Sequence, residues 1–265
     1  IEESKYNEIL KCISDRNRKN IDSSFDFLYP LLDDPNFNKK IAIKKEFYDT
    51  RYIPKTDDEF ENIEQIAEKL CNPREFELAP HQKFVRNFLS FKTPYNSLLL
   101  YHGLGTGKTC SAISVCEEMR LYSKQLKNAK RIIIVASPNV QDNFKLQLFD
   151  ERKLKQIDGN WNIRSCTGNS FIKEINPMNM RGLPRSKVVR QIKRVINNSY
   201  LFLGYRQFAN WLAKIVNKYL RSDLDSSEKR IRGLKYLKRE FSNRMIVIDE
   251  VQNIRNTEDA ALKKT

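Results

Sequence analysis

The residues best suited to chemistry form a glycine-rich stretch, His-Gly-Leu-Gly-Thr-Gly-Lys-Thr, that runs from His102 to Thr109. Glycines let backbone N–H groups approach a phosphate closely, while a lysine reaches the β- and γ-phosphates and a threonine hydroxyl binds Mg²⁺. The usual pattern begins with glycine, so we interpret His102 as a loop-packing residue, and a plain glycine-rich turn is the alternative. The predicted nucleotide-binding residues are Gly103, Leu104, Gly105, Thr106, Gly107, Lys108, Thr109 and Cys110.

Two adjacent carboxylates, Asp249 and Glu250, come directly after the apolar run 245–248. Burying unpaired charge is expensive, so a functional role is favoured over a place in the core, with a surface loop as the alternative. We expect Asp249 to bind Mg²⁺ together with Thr109, and Glu250 to orient the attacking water, with Lys108 as the third catalytic residue. This combination predicts hydrolysis of a nucleoside triphosphate.

Alternating strands and helices must position these groups. Short, mainly apolar runs at 97–101, 131–136, 200–203 and 245–248 predict buried strands, and 109–126 and 205–219 predict helices between them. Continuous apolar strands separated by helices are typical of a parallel sheet. The sequence therefore predicts an α/β fold in which the glycine-rich loop connects a strand to a helix.

Charge divides the 265 residues into two predicted domains. The chain has a net charge of +15, but residues 1–77 carry 13 basic and 18 acidic side chains, and residues 78–265 carry 35 and 15. We expect an acidic, mostly helical region over 1–77 that could dock to a partner, followed by a nucleotide-binding domain over 78–265 that attracts polyanions.

Two basic segments, 172–198 and 214–244, each carry a net charge of +6. Within them Arg190 and Arg194 are four residues apart, as are Lys235 and Arg239, so each pair shares a helix face. We predict that these side chains contact a nucleic-acid backbone, a sequence-independent interaction. A solubilising surface or a protein-docking face is the alternative.

Several classes of protein are excluded by composition. A hydrophobic content of 40% argues against a disordered chain, and no apolar run approaches the roughly 18 residues that span a membrane. The five cysteines are scattered and two histidines cannot complete a zinc site, which favours free thiols in a reducing, intracellular compartment.

Several stretches resemble superfamily 2 helicases and translocases. Asp-Glu-Val-Gln at 249–252 is similar to their acidic box, and the glycine-rich loop is similar to their motif I. Residues 78–82 resemble the stretch in which a glutamine reads adenine, which implies Gln82 as base reader, although an ordinary helix-start glutamine is the alternative. Residues 133–138 resemble motif Ia, which implies that Ser137 and Pro138 contact nucleic acid, and 200–205 resemble motif Ib. For both, a plain core strand followed by a loop is the alternative.

Softer features, such as Thr-Pro-Tyr at 93–95 and Gln-Asn-Ile at 252–254, resemble the helicase-like ATPases of large cytoplasmic DNA viruses. Among these are the small subunit of the poxvirus early transcription factor and a viral nucleoside triphosphatase. The resemblance implies a RecA-like P-loop lobe with basic helical insertions, use of ATP and Mg²⁺, nucleic acid (DNA rather than RNA) as partner, and an RNA polymerase or transcription factor as a second partner. It also implies the host cytoplasm or the virion as location.

Only 15 residues follow Glu250, so we expect the second RecA-like lobe to lie outside this sequence. We also expect the chain alone to bind nucleotide weakly and to hydrolyse it poorly. A binding subunit of a transcription complex, or a P-loop ATPase that does not act on nucleic acid, are the alternative functions.

Overall fold

The computed structural model describes residues 29–52, 76–103, 105–125, 130–178, 180–220 and 226–254. The chain divides into two compact units, the first made of residues 1–73 and 78–111 and the second of 74–77 and 112–265. The predicted domain boundary at 77/78 stays a prediction. Most of the acidic region, 1–28 and 53–75, lies outside the described residues, as does Leu104 of the glycine-rich loop.

The first unit is built on an aromatic cluster. Its short helices are α1 (Phe37–Ala42), α2 (Lys45–Tyr48) and α3 (Pro80–Phe88), followed by the first turn of α4 (Lys108–Gln125). Buried Ile41, Phe47, Phe88 and Tyr95 form its core. The rings of Phe88 and Tyr95 stack with centroids 4.5 Å apart, and the Tyr95 hydroxyl donates a 2.7 Å hydrogen bond to the carbonyl of Pro30.

The second unit contains a three-stranded parallel sheet. Its strands are β1 (Ile132–Val135), β4 (Tyr200–Leu203) and β5 (Ile246–Ile248), in the order β4-β1-β5. All four residues of the central strand β1 are buried. Ile134 of β1 pairs with Phe202 of β4 and with Val247 of β5, so the carboxyl ends of the three strands share one edge.

Helices connect and cover these strands. The connections contain α5 (Pro138–Leu148), α6 (Ser170–Ile175), α7 (Arg185–Ser199), α8 (Tyr205–Leu220) and α9 (Ser226–Phe241). Apolar residues four apart, Val188, Ile192 and Ile196, form the buried face of α7. The described residues therefore form an α/β fold with a parallel sheet, which is compatible with a RecA-like lobe.

Two local features differ from the sequence expectations. The run 97–101, expected to be a strand, has no regular secondary structure, and Leu99 and Tyr101 are 72% and 95% exposed. The described residues of the first unit contain no other strand with which it could form a hydrogen-bonded ladder. An antiparallel hairpin of β2 (Leu154–Ile157) and β3 (Asn160–Ile163), which the sequence did not predict, lies between α5 and α6.

The cysteines also differ in part from the expectation of free thiols. Cys116 is free and fully buried, and burial raises the pKa of its thiol. Cys110 and Cys166 are disulfide-bonded. No helix among the described residues is long and apolar enough to cross a membrane.

Candidate functional site

The glycine-rich loop has the backbone that close approach to a phosphate requires. Gly105 and Gly107 have φ of +77° and +78°, a region that side chains disfavour. A Cβ at Gly105 would meet nothing within 4 Å, whereas a Cβ at Gly107 would lie 2.4 Å from Nε2 of Gln82. Glycine is thus favoured at both positions for its conformation, and at Gly107 a Cβ would also displace the Gln82 amide from the loop.

The loop leads directly into α4, whose first residues are Lys108 and Thr109. The first N–H groups of a helix have no acceptor within the helix and carry its positive dipole end, an arrangement that attracts anions. The Lys108 ammonium donates to the carbonyls of His102 and Gly103, at 3.0 Å and 3.4 Å. A phosphate bound here would exchange these loop carbonyls for charged oxygens, which are stronger acceptors. The half-buried Thr109 follows on the same helix turn.

Gln82, the predicted base reader, is a buried residue of α3 that holds both its own helix and the loop. Its Oε1 accepts from the backbone N–H of Ala79 at 3.0 Å, and its Nε2 donates to the carbonyl of Gly107 at 3.4 Å. The first bond is that of an ordinary helix-start glutamine, while the second places the amide beside the loop. Base reading by Gln82 stays a prediction.

His81, which the sequence analysis missed, is a second connection between α3 and the loop. Its Nε2 lies 2.8 Å from the carbonyl of Thr106, and its Nδ1 lies 2.7 Å from the hydroxyl of Tyr52. Because a carbonyl only accepts, Nε2 must carry the proton, and in the neutral ring Nδ1 then accepts from Tyr52. The ring also meets that of His102 edge-on at 5.8 Å, and Nδ1 of His102 is buried with no hydrogen-bond partner among the described residues.

The acidic box lies at the carboxyl end of β5. The N–H of Asp249 donates to the carbonyl of Val135 at 3.0 Å and so continues the sheet by one residue. Glu250 follows with φ of +48°, an unfavourable value for a side chain other than glycine, and its exposed carboxylate accepts from the Gln252 amide. Residues with such unfavourable backbone angles are often found at functional sites, although Asp158 and Asn243 also have positive φ.

Tyr205 links the acidic box after β5 to the end of β4, the strand on the other side of β1. Its hydroxyl donates to the carbonyl of Asp249 at 2.9 Å and accepts from the Asn253 amide at 3.4 Å. Tyr205 begins α8, and Gly204 alone separates it from the end of β4 at Leu203. The resemblance to motif Ib drew attention to this tyrosine, but its contact with Asp249 could not be read from the sequence.

The two predicted magnesium ligands are each of the right chemical type, and they belong to different units. Thr109 offers a hydroxyl and Asp249 a carboxylate, the hard ligands that Mg²⁺ prefers. Among the described residues, no three His, Cys, Asp or Glu side chains cluster as an all-protein metal site. Mg²⁺ commonly uses one or two protein ligands with substrate phosphates, and either side chain suits that mode. That Thr109 and Asp249 bind the same ion stays a prediction.

The predicted nucleic-acid contacts lie on three different elements of the second unit. Ser137 precedes α5 and Pro138 is its first residue, at the carboxyl end of β1. Arg190 and Arg194 are exposed on α7 and line the same surface groove. The remaining two, Lys235 and Arg239, are exposed on α9.

A buried ionic network, also missed from the sequence, connects α4 to β4 and α6. Arg120 donates to Glu117 through Nε at 2.9 Å and Nη2 at 2.7 Å, and to Glu174 through Nη1 at 2.8 Å. The Tyr200 hydroxyl donates to Glu117 at 2.5 Å, and the exposed Lys124 donates to Glu174 at 2.6 Å.

The network shifts the pKa values of its members. Burial alone would lower the pKa of Arg120, but its bonds to Glu117 and Glu174 raise it. For Glu174, burial opposes ionisation, yet Lys124 and Arg120 bring its pKa below the usual value. Burial, and then Glu117, raise the pKa of Tyr200 well above normal. In the sequence, Glu117 and Arg120 are three residues apart on a predicted helix, and this spacing is the signal from which an ion pair could have been predicted.

Proteins of large DNA viruses are similar to this chain. A mimivirus protein named "Putative ATP-dependent RNA helicase" (Acanthamoeba polyphaga mimivirus) is 24% identical over 254 residues, which are 89% of this chain and 20% of the relative. A "Putative helicase" of Frog virus 3 is 28% identical over 179 residues, 67% of this chain and 15% of the relative. The "Early transcription factor large subunit homolog" of African swine fever virus is 25% identical over 229 residues, 74% of this chain and 20% of the relative.

These similarities agree with the resemblance to helicase-like ATPases of large DNA viruses, although the African swine fever virus name refers to a large subunit and the motifs resembled a small one. The chain spans about a fifth of the length of the curated relatives it matches. No family model and no solved structure matches it.

Proposed function

We propose that this chain, whose relatives in large DNA viruses carry helicase and early-transcription-factor names, is the nucleotide-binding part of an ATP-dependent nucleic-acid translocase with a RecA-like lobe. The observation that carries the proposal is the loop before α4, in which Gly105 and Gly107 adopt positive φ and Lys108 opens the helix. Such a loop at a helix N-terminus is suited to a polyphosphate chain.

Each residue has a distinct proposed role. The backbone N–H groups of the loop and Lys108 bind the phosphates, while the hydroxyl of Thr109 is a ligand for Mg²⁺. Asp249 supplies a carboxylate ligand for Mg²⁺, and Glu250 holds the proton-accepting position beside the attacking water. Bound Mg²⁺ neutralises charge on the transferred phosphoryl group. The roles of Asp249 and Glu250 rest on their sequence motif and on their position at a strand end.

We propose that nucleic acid activates the ATPase of the complete protein and that this ATPase acts in viral transcription. Support comes from the excess of 20 positive charges over residues 78–265 and from the helicase names of the relatives. A second candidate function, a binding subunit of a transcription complex, is favoured by the name of the African swine fever virus relative. DNA is the proposed nucleic acid, and the test below includes RNA because the mimivirus relative is named an RNA helicase.

The direct test is nucleotide binding by the 265-residue chain. Titration with a fluorescent ATP analogue and Mg²⁺ should show that Lys108→Ala weakens binding by roughly 10- to 100-fold, because a charged hydrogen bond contributes about 1.5–3 kcal/mol. Lys92→Ala removes an exposed lysine of the same unit and serves as the matched control. Equal affinities of Lys108→Ala and the native chain would refute the assignment of the loop.

Hydrolysis separates the two candidate functions. In protein that contains the complete helicase region, single-stranded DNA, duplex DNA or RNA should raise the ATPase rate, and Glu250→Gln should abolish this rate while ATP binding persists. An ATPase rate that no nucleic acid changes, combined with retention of a transcription partner, would favour the binding-subunit function.

A further inference from the structure

A basic groove lies along α7. Its residues belong to a different part of the sequence from the phosphate loop and the acidic box. It has a volume of about 700 Å³, and the charged residues that line it are Glu151, Arg185, Arg190, Lys193 and Arg194. We propose that this α7 groove binds the sugar-phosphate backbone of a nucleic acid. The inference rests on the proposed function in one respect, namely that the ligand is a nucleic acid.

The position of the groove follows from how α7 is buried. Val188, Ile192 and Ile196 are its inward face, and Arg190 and Arg194, each two positions from a buried residue, are exposed on the other side of the helix. These two arginines have no carboxylate partner among the described residues. They lie one helix turn apart, about 6 Å along the axis, so their guanidinium groups can bind separate phosphates of one strand.

Glu151 is the single acidic residue lining the groove, and it limits the positive charge there. Its carboxylate accepts from the Lys193 ammonium at 3.0 Å, and its backbone carbonyl accepts from Nη2 of Arg185 at 2.7 Å. Lys193 is exposed, so its ion pair is weak and a phosphate can replace the carboxylate. Glu151 therefore competes with the ligand, and its neutralisation should strengthen binding.

The chemistry of the lining favours nucleic acid over an acidic protein. Besides the charged residues, Ser186, Asn197 and Asn198 contribute hydroxyl and amide donors, and Val189 is the only apolar lining residue. Arginine, lysine, serine and asparagine are the usual donors to phosphate oxygens. Protein interfaces instead depend on buried aromatic and aliphatic side chains, which this groove lacks.

The groove lies outside the strand ends that carry the helicase-like motifs. Ser199, the last residue of α7, directly precedes Tyr200, the first residue of β4, so α7 approaches the amino end of that strand. Ser137, Tyr205 and Asp249 follow the carboxyl ends of their strands. The α7 groove is therefore a contact region additional to the predicted motif contacts.

The test compares three variants of the 265-residue chain in binding of labelled single-stranded DNA, duplex DNA and RNA between 50 and 200 mM salt, roughly the range in which phosphate contacts are sensitive. Each phosphate contact steepens the slope of log K against log salt by about 0.7 on single strands and 0.9 on duplex. Arg190→Ala/Arg194→Ala should therefore flatten the slope by about 1.4 or 1.8. At about 0.1 M salt it should weaken binding roughly 25-fold or 60-fold.

The control variant should leave binding unchanged, whereas the third variant should strengthen it. Lys39→Ala/Lys45→Ala removes two exposed charges from the first unit and should leave the slope unchanged. Glu151→Gln frees Lys193 for one more phosphate, so it should strengthen binding by roughly 5- to 8-fold at about 0.1 M salt. Fluorescence of Trp161 and Trp211 checks that each variant is folded.

The outcomes separate this inference from the proposed function. If the native chain binds nucleic acid and Arg190→Ala/Arg194→Ala weakens that binding no more than the control does, the groove is refuted but the proposed function is not. Absence of nucleic-acid binding by the native chain refutes the groove and removes the proposed activator, while ATP binding still tests the loop independently. Binding of polyglutamate in preference to every nucleic acid, lost in Arg190→Ala/Arg194→Ala, would assign the groove to an acidic protein and overturn the inference.

Discussion

Replacing Arg120 by methionine tests whether the second unit depends on a buried charge balance. The side chains of Arg120 and Glu117 are only 6% and 9% exposed, and that of Glu174 is 15% exposed. Without the guanidinium, Glu117 keeps its hydrogen bond from Tyr200 but has no cation to balance its charge. Breaking a buried ion pair in this way costs about 3–5 kcal/mol of unfolding free energy.

Two further variants identify the cause of that loss. Lys124→Met removes the other cation on Glu174, but Lys124 is 59% exposed, so we expect a loss of about 0–1 kcal/mol. Glu117→Gln combined with Arg120→Met removes more native bonds than Arg120→Met alone, yet it also removes the uncompensated charge. We therefore expect the double variant to be more stable than Arg120→Met by at least about 1 kcal/mol.

Urea unfolding followed by tryptophan fluorescence is the suitable assay. Both tryptophans of the chain, Trp161 and Trp211, belong to the second unit, so their signal reports the unit that contains the network. Comparison of midpoints at constant m-value gives the differences in free energy. Equal losses for Arg120→Met and Lys124→Met, or a double variant no more stable than Arg120→Met, would show that uncompensated buried charge is not the cause.

Two other predictions concern the loop and pH. Gly107→Ala should weaken ATP binding more than Gly105→Ala does in a fluorescent-nucleotide titration. Both substitutions cost about 1–2 kcal/mol for positive φ, but only a Cβ at Gly107 meets Gln82; equal effects would contradict this account. Because Glu174 has a lowered pKa, its stabilisation is present above pH 4.5 and lost as pH falls through its folded-state pKa. Urea unfolding of Glu174→Gln should therefore show a deficit against the native chain at pH 7 that shrinks on acidification, and a constant deficit would contradict the linkage.

Strands with a continuous apolar sequence could be predicted well where a neighbouring strand is present to pair with them. The expected strands at 131–136, 200–203 and 245–248 coincide with β1, β4 and β5 within a residue or so at each end, because three β-rich runs can satisfy one another's backbone groups. The run 97–101, Ser-Leu-Leu-Leu-Tyr, is also mainly apolar but has no ladder among the described residues. Composition therefore predicts the tendency to form a strand, while pairing depends on long-range contacts that a sequence does not display.

The candidate site likewise has some features that could be predicted from the sequence and others that could not. The positive φ of Gly105 and Gly107 was predictable because glycine at those spacings has a known conformational use. The contact of His81 with Thr106 was not, because nothing in the sequence brings residues 25 positions apart together. Likewise, Arg190 and Arg194 could be placed on one helix face from their spacing, but Glu151 as their neighbour in a groove required the fold.

The outer edge of β5 has a consequence for how copies of this chain behave toward each other. Among the described residues β5 pairs with β1 only, so a row of backbone N–H and C=O groups beside Ile-Val-Ile lies on the edge of the sheet. Such an edge is a template for strand addition between molecules, and like charge on the molecules opposes their approach. With a net charge of +15, repulsion protects the edge at low ionic strength, and salt weakens that protection. The same positive charge that suits a polyanion thus also governs colloidal stability.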